Sequence, residues 1–211
     1  MDEGLGWALV VPVKRLAVAK TRLGPPYDVI RRDLALAFAL DTTAAALAST
    51  LVTAVVVVTD EPEAAHSLGE LGADVVGDEP DAGLNPAVAH GVHVAAHRYP
   101  SRAAGALSGD LPALRPDELD SALRRAESHA AAFLRDAHGT GTTLVVARRP
   151  ADLRPGFGTD SARRHAAAGL AEITGDDMPS VRQDVDTADD LATALRLGVG
   201  SHTADVLARL G

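Results

Sequence analysis

The chain alternates short apolar runs with longer stretches whose apolar residues recur at helical spacing. Trp7 to Val13 (WALVVPV) is continuously apolar, the pattern of a strand buried on both faces. Thr53 to Thr59 (TAVVVVT) is a second such run, rich in β-branched residues and stopped by Asp60-Glu61-Pro62. Ala103 to Ser108 reads as a third, closed by Gly109-Asp110-Leu111-Pro112. Shorter strands are expected over Ala73–Val76, Ala131–Leu134, Thr142–Ala147 and Val181–Thr187. Between them, Ile30, Leu34, Phe38 and Ala45 fall near one face of a helix over about Asp28–Ser49. Further helices are expected over Glu63–Leu71, from Asn85-Pro86 onward, over Pro116 to about Ser128, and over Ser161 to about Ile173. Two short ones close the chain. Strands alternating with helices of ten or more residues imply βαβ units and a mostly parallel sheet, the α/β class. No repeat, low-complexity tract or long linker divides the 211 residues, so one domain spanning 1–211 is expected.

Composition narrows this picture. Hydrophobic residues make up 46% of the chain but aromatic ones only 3%, so the core must be Ala, Val and Leu. Such a core suits helices laid closely on a sheet and offers little for stacking single-stranded bases. A net charge of −9 also argues against a nucleic-acid partner, which needs a broad basic face. With no cysteine, a disulfide framework and a thiolate metal site are excluded. Met1-Asp2-Glu3-Gly4 is acidic and unlike a secretory signal. No apolar run approaches the roughly 18 residues of a membrane span. A cytoplasmic protein without a membrane partner is expected.

Ligands of an open α/β sheet bind beyond the carboxyl ends of its strands, so polar residues directly after apolar runs are the candidates. Lys14, Arg15, Lys20 and Arg22 place four cations within nine residues after the first strand of an acidic protein. They suit the phosphates of a nucleotide, or form a solvated basic segment paired with nearby acids. The phosphate-loop pattern GxxxxGK[ST] is absent. Asp110, at the tip of the third apolar strand, is either a turn residue or a ligand for Mg²⁺, a cation that favours carboxylate oxygen. Asp184 and Asp186 in DVDT, read as a strand, would point to the same face and call for a counter-charge. Otherwise Asp186 or Thr187 caps the helix that carries Asp189-Asp190. Finally, Gly139-Thr140-Gly141-Thr142 and Gly158-Thr159-Asp160-Ser161 combine glycines with a helix start, where backbone N–H groups meet anions. Plain capping by Asp160-Ser161 is the competing account. Arg163 and Arg164 would oppose that helix's dipole unless an anion lay near. The eight histidines show no zinc-ligand spacing, and neither Ser108 nor Ser161 sits in a GxSxG elbow.

In this order, PVKRLAVAKTRL, LNPAVAHG, SGDLPAL, GTGT, FGTDSARRH and DVDT resemble the CofC/FbiD family of guanylyltransferases, which make the activated intermediate of the deazaflavin coenzyme F-420. The resemblance runs from about Trp7 to the last helices. It implies a Rossmann-like nucleotidyltransferase (nucleotide-diphospho-sugar transferase-like) fold with helices on both faces of the sheet. It also implies GTP as donor, Mg²⁺ as cofactor, and phosphoenolpyruvate or 2-phospho-L-lactate as acceptor. The family's acceptor positions fall on Thr142, Gly158 and Ser161, and its metal acids on Asp110 and one or both of Asp184 and Asp186. Lys14, Arg15, Lys20 and Arg22 would then hold the nucleotide phosphates, and Asn85 the guanine or ribose. The loop has no glycine before Gly24, so its contacts to phosphate must come from side chains. A homodimer is compatible with all this. A metal-dependent glycosyltransferase of the same fold class, or a non-catalytic nucleotide-binding module, are the readings set against it.

Overall fold

The computed structural model describes residues 6–16, 20–79 and 81–210. The acidic start at Met1–Gly4, the middle of the cationic stretch at 17–19, and Pro80 lie outside them.

Seven strands form one sheet. They are β1 (Trp7–Pro12), β2 (Val52–Val58), β3 (Asp74–Val76), β4 (Ala103–Leu107), β5 (Ala131–Arg135), β6 (Thr142–Ala147) and β7 (Ala171–Glu172). Their order is β3-β2-β1-β4-β6-β5-β7. Every neighbouring pair is parallel except those made by β6, which runs antiparallel between β4 and β5. The central strands carry no polar side chain, and β1 is buried at every residue but Pro12.

Alternation along the strands supplies two apolar faces. Leu9, Val11, Val55, Val57, Leu107, Leu134 and Leu144 meet α1 (Arg31–Ala48), α2 (Pro62–Glu70) and α4 (Pro116–Ala126). Ala8, Val10, Val56, Ala106, Phe133 and Val145 meet α3 (Leu84–Arg98) and α5 (Ser161–Ala167). Helices therefore cover both faces, as expected. Small residues let them approach closely: a side chain on Gly91 of α3 would come within 2.5 Å of Val10 and 2.7 Å of Val58. A third apolar cluster joins the outer side of α1, through Leu34 and Phe38, to α7 (Ala188–Leu197) and α8 (Ser201–Leu207). Asp41, buried in α1, caps α8 by accepting the N–H groups of His202 (3.1 Å) and Thr203 (2.9 Å).

Three expected elements differ. Val181–Thr187 is not a strand: α6 (Pro179–Arg182) takes its first residues, and 183–187 is irregular. Pro179 is set for a first helical turn. Ser180 is fixed there by Glu118, which accepts both its N–H and its hydroxyl at 2.7 Å. Val181 and Val185, four apart, are both fully buried, a spacing that the alternating pattern disguised. The helix from Ser161 stops at Ala167, because Gly169 turns the chain at φ +84° and Ala171–Glu172 then pairs with β5. The long first helix starts at Arg31, after a 3₁₀ turn over Tyr27–Val29.

Candidate active site

The carboxyl ends of β1, β2, β3, β4 and β5 open on one side of the sheet. Because β6 is antiparallel, it contributes its first residue, Thr142, to that same side. The Ser108 N–H donates to Thr143 O at 2.8 Å and so holds the start of β6 against the end of β4. Gly109 passes so close to the end of β1 that a Cβ there would lie 3.0 Å from the Pro12 carbonyl. Asp110 is thereby set beside the cationic loop. A backbone bond from Val185 N–H to Asp110 O (3.1 Å) then brings the 184–186 segment alongside.

Lys20 lies between these acids. Its ammonium donates to Asp110 and, at 3.1 Å, to Asp186. Only 10% of its side chain is exposed. Burial works against the charged amine, but Asp110 and Asp186 more than offset it and raise the pKa above the ordinary lysine value. Arg22, exposed, stands 3.8 Å from the other oxygen of Asp186. Arg15 reaches outward to Asp81 at 3.4 Å, and Lys14 is exposed on the cleft wall. The loop thus divides: Lys20 and Arg22 face Asp110 and Asp186, while Arg15 turns to Asp81 and Lys14 lines the cleft.

The Asp184 carboxyl is pushed up to about 8, first by burial and then by repulsion from Asp110, Asp136 and Asp186, with Lys20 acting the other way. Asp184 is thus one of a cluster of acids with Asp110, Asp136 and Asp186, of which Lys20 pairs with Asp110 and Asp186; carboxyl oxygen is the donor type that suits Mg²⁺. Asp184 and Asp186 lie close enough to repel, on a loop fixed by Asp190 rather than on the strand face expected. Asp190 accepts the N–H groups of Asp186 (3.1 Å) and Thr187 (2.8 Å), and Thr187 completes a capping box on α7. Capping and site are therefore neighbours on one segment. The Asp190 Oδ1 atom lies 2.8 Å from His138 Nε2, which ties the 137–141 turn to the same segment.

Thr142 begins β6 beside α5, whose lead-in and first turn carry Gly158 and Ser161; Thr142 and Ser161 are both buried. The Ala162 N–H donates to Thr140 O (3.1 Å), and that of Ser161 to Gly158 O (3.0 Å), drawing the start of α5 over the β5–β6 turn. Gly158 holds φ +115°, and Asp160 precedes the helix at φ +52° without a side-chain cap bond. Arg164 has partners inside the chain, donating to the carbonyls of Thr159 and Gly156, the latter at 2.9 Å. Asn85 is the correction here. Its side chain donates to Phe157 O (3.0 Å) and accepts the Phe157 N–H (2.8 Å), so it fixes the loop before α5 rather than facing a base.

Two adjoining cavities of about 240 Å³ each lie along this edge. One is lined by Val13, Lys20, Ser108, Asp110, Phe157 and Asp186. The other is lined by Lys14, Arg15, Asp60, Asp78, Asp81 and Gly83. Carboxylate oxygens of Asp60, Asp78 and Asp81 all lie within 4.8 Å of one another. Sequence reasoning missed these three, together with Asp136 and His165. Asp60 and Asp136 follow directly after strands and carried the same positional signal as Asp110.

A twisted, mostly parallel sheet that gathers strand-end acids and a lysine-bearing first loop over a divided cleft defines an α/β protein of the nucleotidyltransferase class. Solved structures of that class share the fold. A nucleotidyl transferase from Methanothermobacter thermautotroptrophicus superposes with a TM-score of 0.64 at 19% identity, over 92% of this chain and 98% of that one. A protein described as a nucleotide-diphospho-sugar transferase, from Desulfovibrio desulfuricans G20, gives 0.65 at 19% identity, over 96% and 94%. Residues 37–172 match the MobA-like NTP transferase domain. Relatives named phosphoenolpyruvate guanylyltransferase match nearly end to end. That of Streptomyces coelicolor is 54% identical over 97% of both chains, and that of Thermomonospora curvata 51% over 99% of this chain and 92% of its own. The chain belongs to the MobA-like NTP transferase family and, within it, to the phosphoenolpyruvate guanylyltransferases.

Proposed function

We propose that this chain transfers the guanylyl group of GTP to phosphoenolpyruvate, releasing pyrophosphate and forming enolpyruvyl-diphospho-guanosine for coenzyme F-420 synthesis in the cytoplasm. The observation that carries the reading is the meeting, at one cleft, of Lys20 with Asp110, Asp184 and Asp186, in a chain half-identical to relatives of that name. Among the described residues, no helix is long and apolar enough to cross a membrane.

The chemistry needs little from the protein beyond placement and charge. A phosphate oxygen of the acceptor attacks the α-phosphorus of GTP as the bond from that phosphorus to the β-phosphate oxygen breaks. The attacking phosphate is already ionised at neutral pH, so no side chain has to remove a proton. Asp110, with Asp184 and Asp186, would hold Mg²⁺, which would supply charge neutralisation to the phosphates when bound. Lys20, Arg22, Lys14 and Arg15 bind the β- and γ-phosphates and stabilise the departing pyrophosphate. Thr142, the Gly158 N–H and Ser161 hold the acceptor. The second cavity takes the base: guanine presents N1–H and a 2-amino group, donors that match the carboxylates of Asp60 and Asp78. Asp78 Oδ1 is buried with no donor among the described residues.

Mass spectrometry of a reaction holding GTP, phosphoenolpyruvate and Mg²⁺ tests the reading. The mixed diphosphate should accumulate with pyrophosphate in equal amount. Free GDP, or GMP without the diphosphate, would assign the cleft to a different transfer.

A further inference from the structure

His165 is a buried titratable group beside the cleft that the chemistry above leaves without a task. It is 2% exposed, on the inner side of α5. Its ring packs on Phe133 (centroids 5.6 Å apart) and edge-on to Phe157 (5.9 Å). Its two nitrogens have unlike surroundings. Nδ1 lies 3.0 Å from the Thr142 hydroxyl oxygen. Nε2 is buried with no hydrogen-bond partner, and the backbone at Gly156 covers it so closely that a Cβ there would lie 3.1 Å away.

Burial, and secondarily the charge of Arg164, hold the imidazole pKa down at about 4, so the ring is neutral at physiological pH and carries one N–H. A proton on Nε2 would leave a buried N–H unpaired against Phe157 and the 156 backbone. A proton on Nδ1 leaves only a lone pair there, the lesser cost, since unpaired buried donors are rarer than unpaired acceptors. The Nδ1–H tautomer donates to the Thr142 oxygen and takes up one of its two lone pairs. The hydroxyl hydrogen of Thr142 then has no partner in His165 and is available to a ligand. With the opposite tautomer, Thr142 would spend its hydrogen on Nδ1 and turn lone pairs toward an anion.

We infer that His165 is a positioning residue for the acceptor: its Nδ1–H fixes the Thr142 hydroxyl as a hydrogen-bond donor to the acceptor's phosphate or carboxylate, and so makes that subsite attract an anion. The inference rests on Thr142 being the acceptor contact.

Two measurements on the full chain test it. Long-range ¹H–¹⁵N NMR of the uniformly labelled protein reads the tautomer directly, without substrate; His165 should show a protonated Nδ1 and a bare Nε2 at neutral pH. A protonated Nε2 overturns the inference. In steady-state kinetics, His165→Leu removes the donor, while His165→Asn keeps an amide N–H near the Nδ1 position. The leucine variant should raise KM for phosphoenolpyruvate roughly tenfold or more, as for one lost hydrogen bond to a charged group, with KM for GTP unchanged and the asparagine variant recovering most of the loss. Equal rises in both KM values, or no rescue by asparagine, would reduce His165 to packing. If His165→Leu does not fold, the tautomer measurement still decides. Absence of turnover by the wild-type chain with phosphoenolpyruvate would instead remove the proposed function and leave the tautomer result standing.

Discussion

The two halves of the cleft are built from opposite materials. Around Asp110 the chain gathers charge: Lys20 bridges Asp110 and Asp186, Arg22 stands behind, and the Asp184 carboxyl is pushed up to about 8 by burial and then by its acidic neighbours. Around Thr142 it gathers neutral, buried groups: Thr142 itself, Ser161 at 1% exposure, and His165, whose charged form the interior rejects. The charged half holds more acid than its buried ammonium balances, as the raised Asp184 carboxyl shows. The neutral half is complete in the free chain and acts through the direction of one hydroxyl. A guanylyl transfer needs both kinds, because the leaving pyrophosphate gathers charge while the acceptor must be held still.

The contrast makes the halves separable by mutation, and the largest effect belongs to the charged one. Asp110→Asn should lower kcat by about two to three orders of magnitude, the scale of losing a preorganised charge at a transition state, while the thermal midpoint stays level or rises as repulsion with Asp184 is relieved. An unchanged kcat in saturating Mg²⁺ would remove Asp110 from the site.

Lys20→Met should raise KM for GTP about tenfold and destabilise the metal-free chain, since it strips the acids of their ammonium. Melting curves with and without Mg²⁺ then sharpen the comparison: the cation should restore more stability to the variant than it adds to the wild type. The same increment in both would mean that Lys20 and the metal do not share the carboxylates.

The neutral half answers to pH instead. His165 titrates at about 4 in the folded chain, against an ordinary value of 6.5. Between those values the unfolded chain binds the extra proton, so stability falls as pH drops through the window, by roughly 3 kcal/mol at most. Denaturant titrations of His165→Leu should show a flatter profile between pH 6.5 and 4, and a profile as steep as the wild type's would place the buried proton elsewhere.

The smallest effect is expected at Arg15, whose ion pair with Asp81 is exposed on both sides. Arg15→Ala should leave stability within about 0.5 kcal/mol by chemical denaturation, with its consequence confined to GTP affinity.

The sequence disclosed the charged half far better than the neutral one, for a physical reason. Asp110 follows an apolar strand and the four cations follow another, so position along the chain was enough to find them. Asp184 and Asp186 were found by their spacing but for the wrong cause, since 183–187 is a loop held by Asp190 and Val185, not a strand. The partnership of His165 with Thr142 spans 23 residues and depends on β6 running antiparallel, which no local pattern encodes. Asn85 shows the converse. A helix-start amide looked free for a base, yet its partner, Phe157, lies 72 residues away.

The account's central claim is tested most directly by pyrophosphate release from GTP in the presence of Mg²⁺, with phosphoenolpyruvate, 2-phospho-L-lactate and 3-phosphoglycerate offered in parallel. Release should be fastest with phosphoenolpyruvate and should stop when the metal is chelated. Release with none of the three would contradict it.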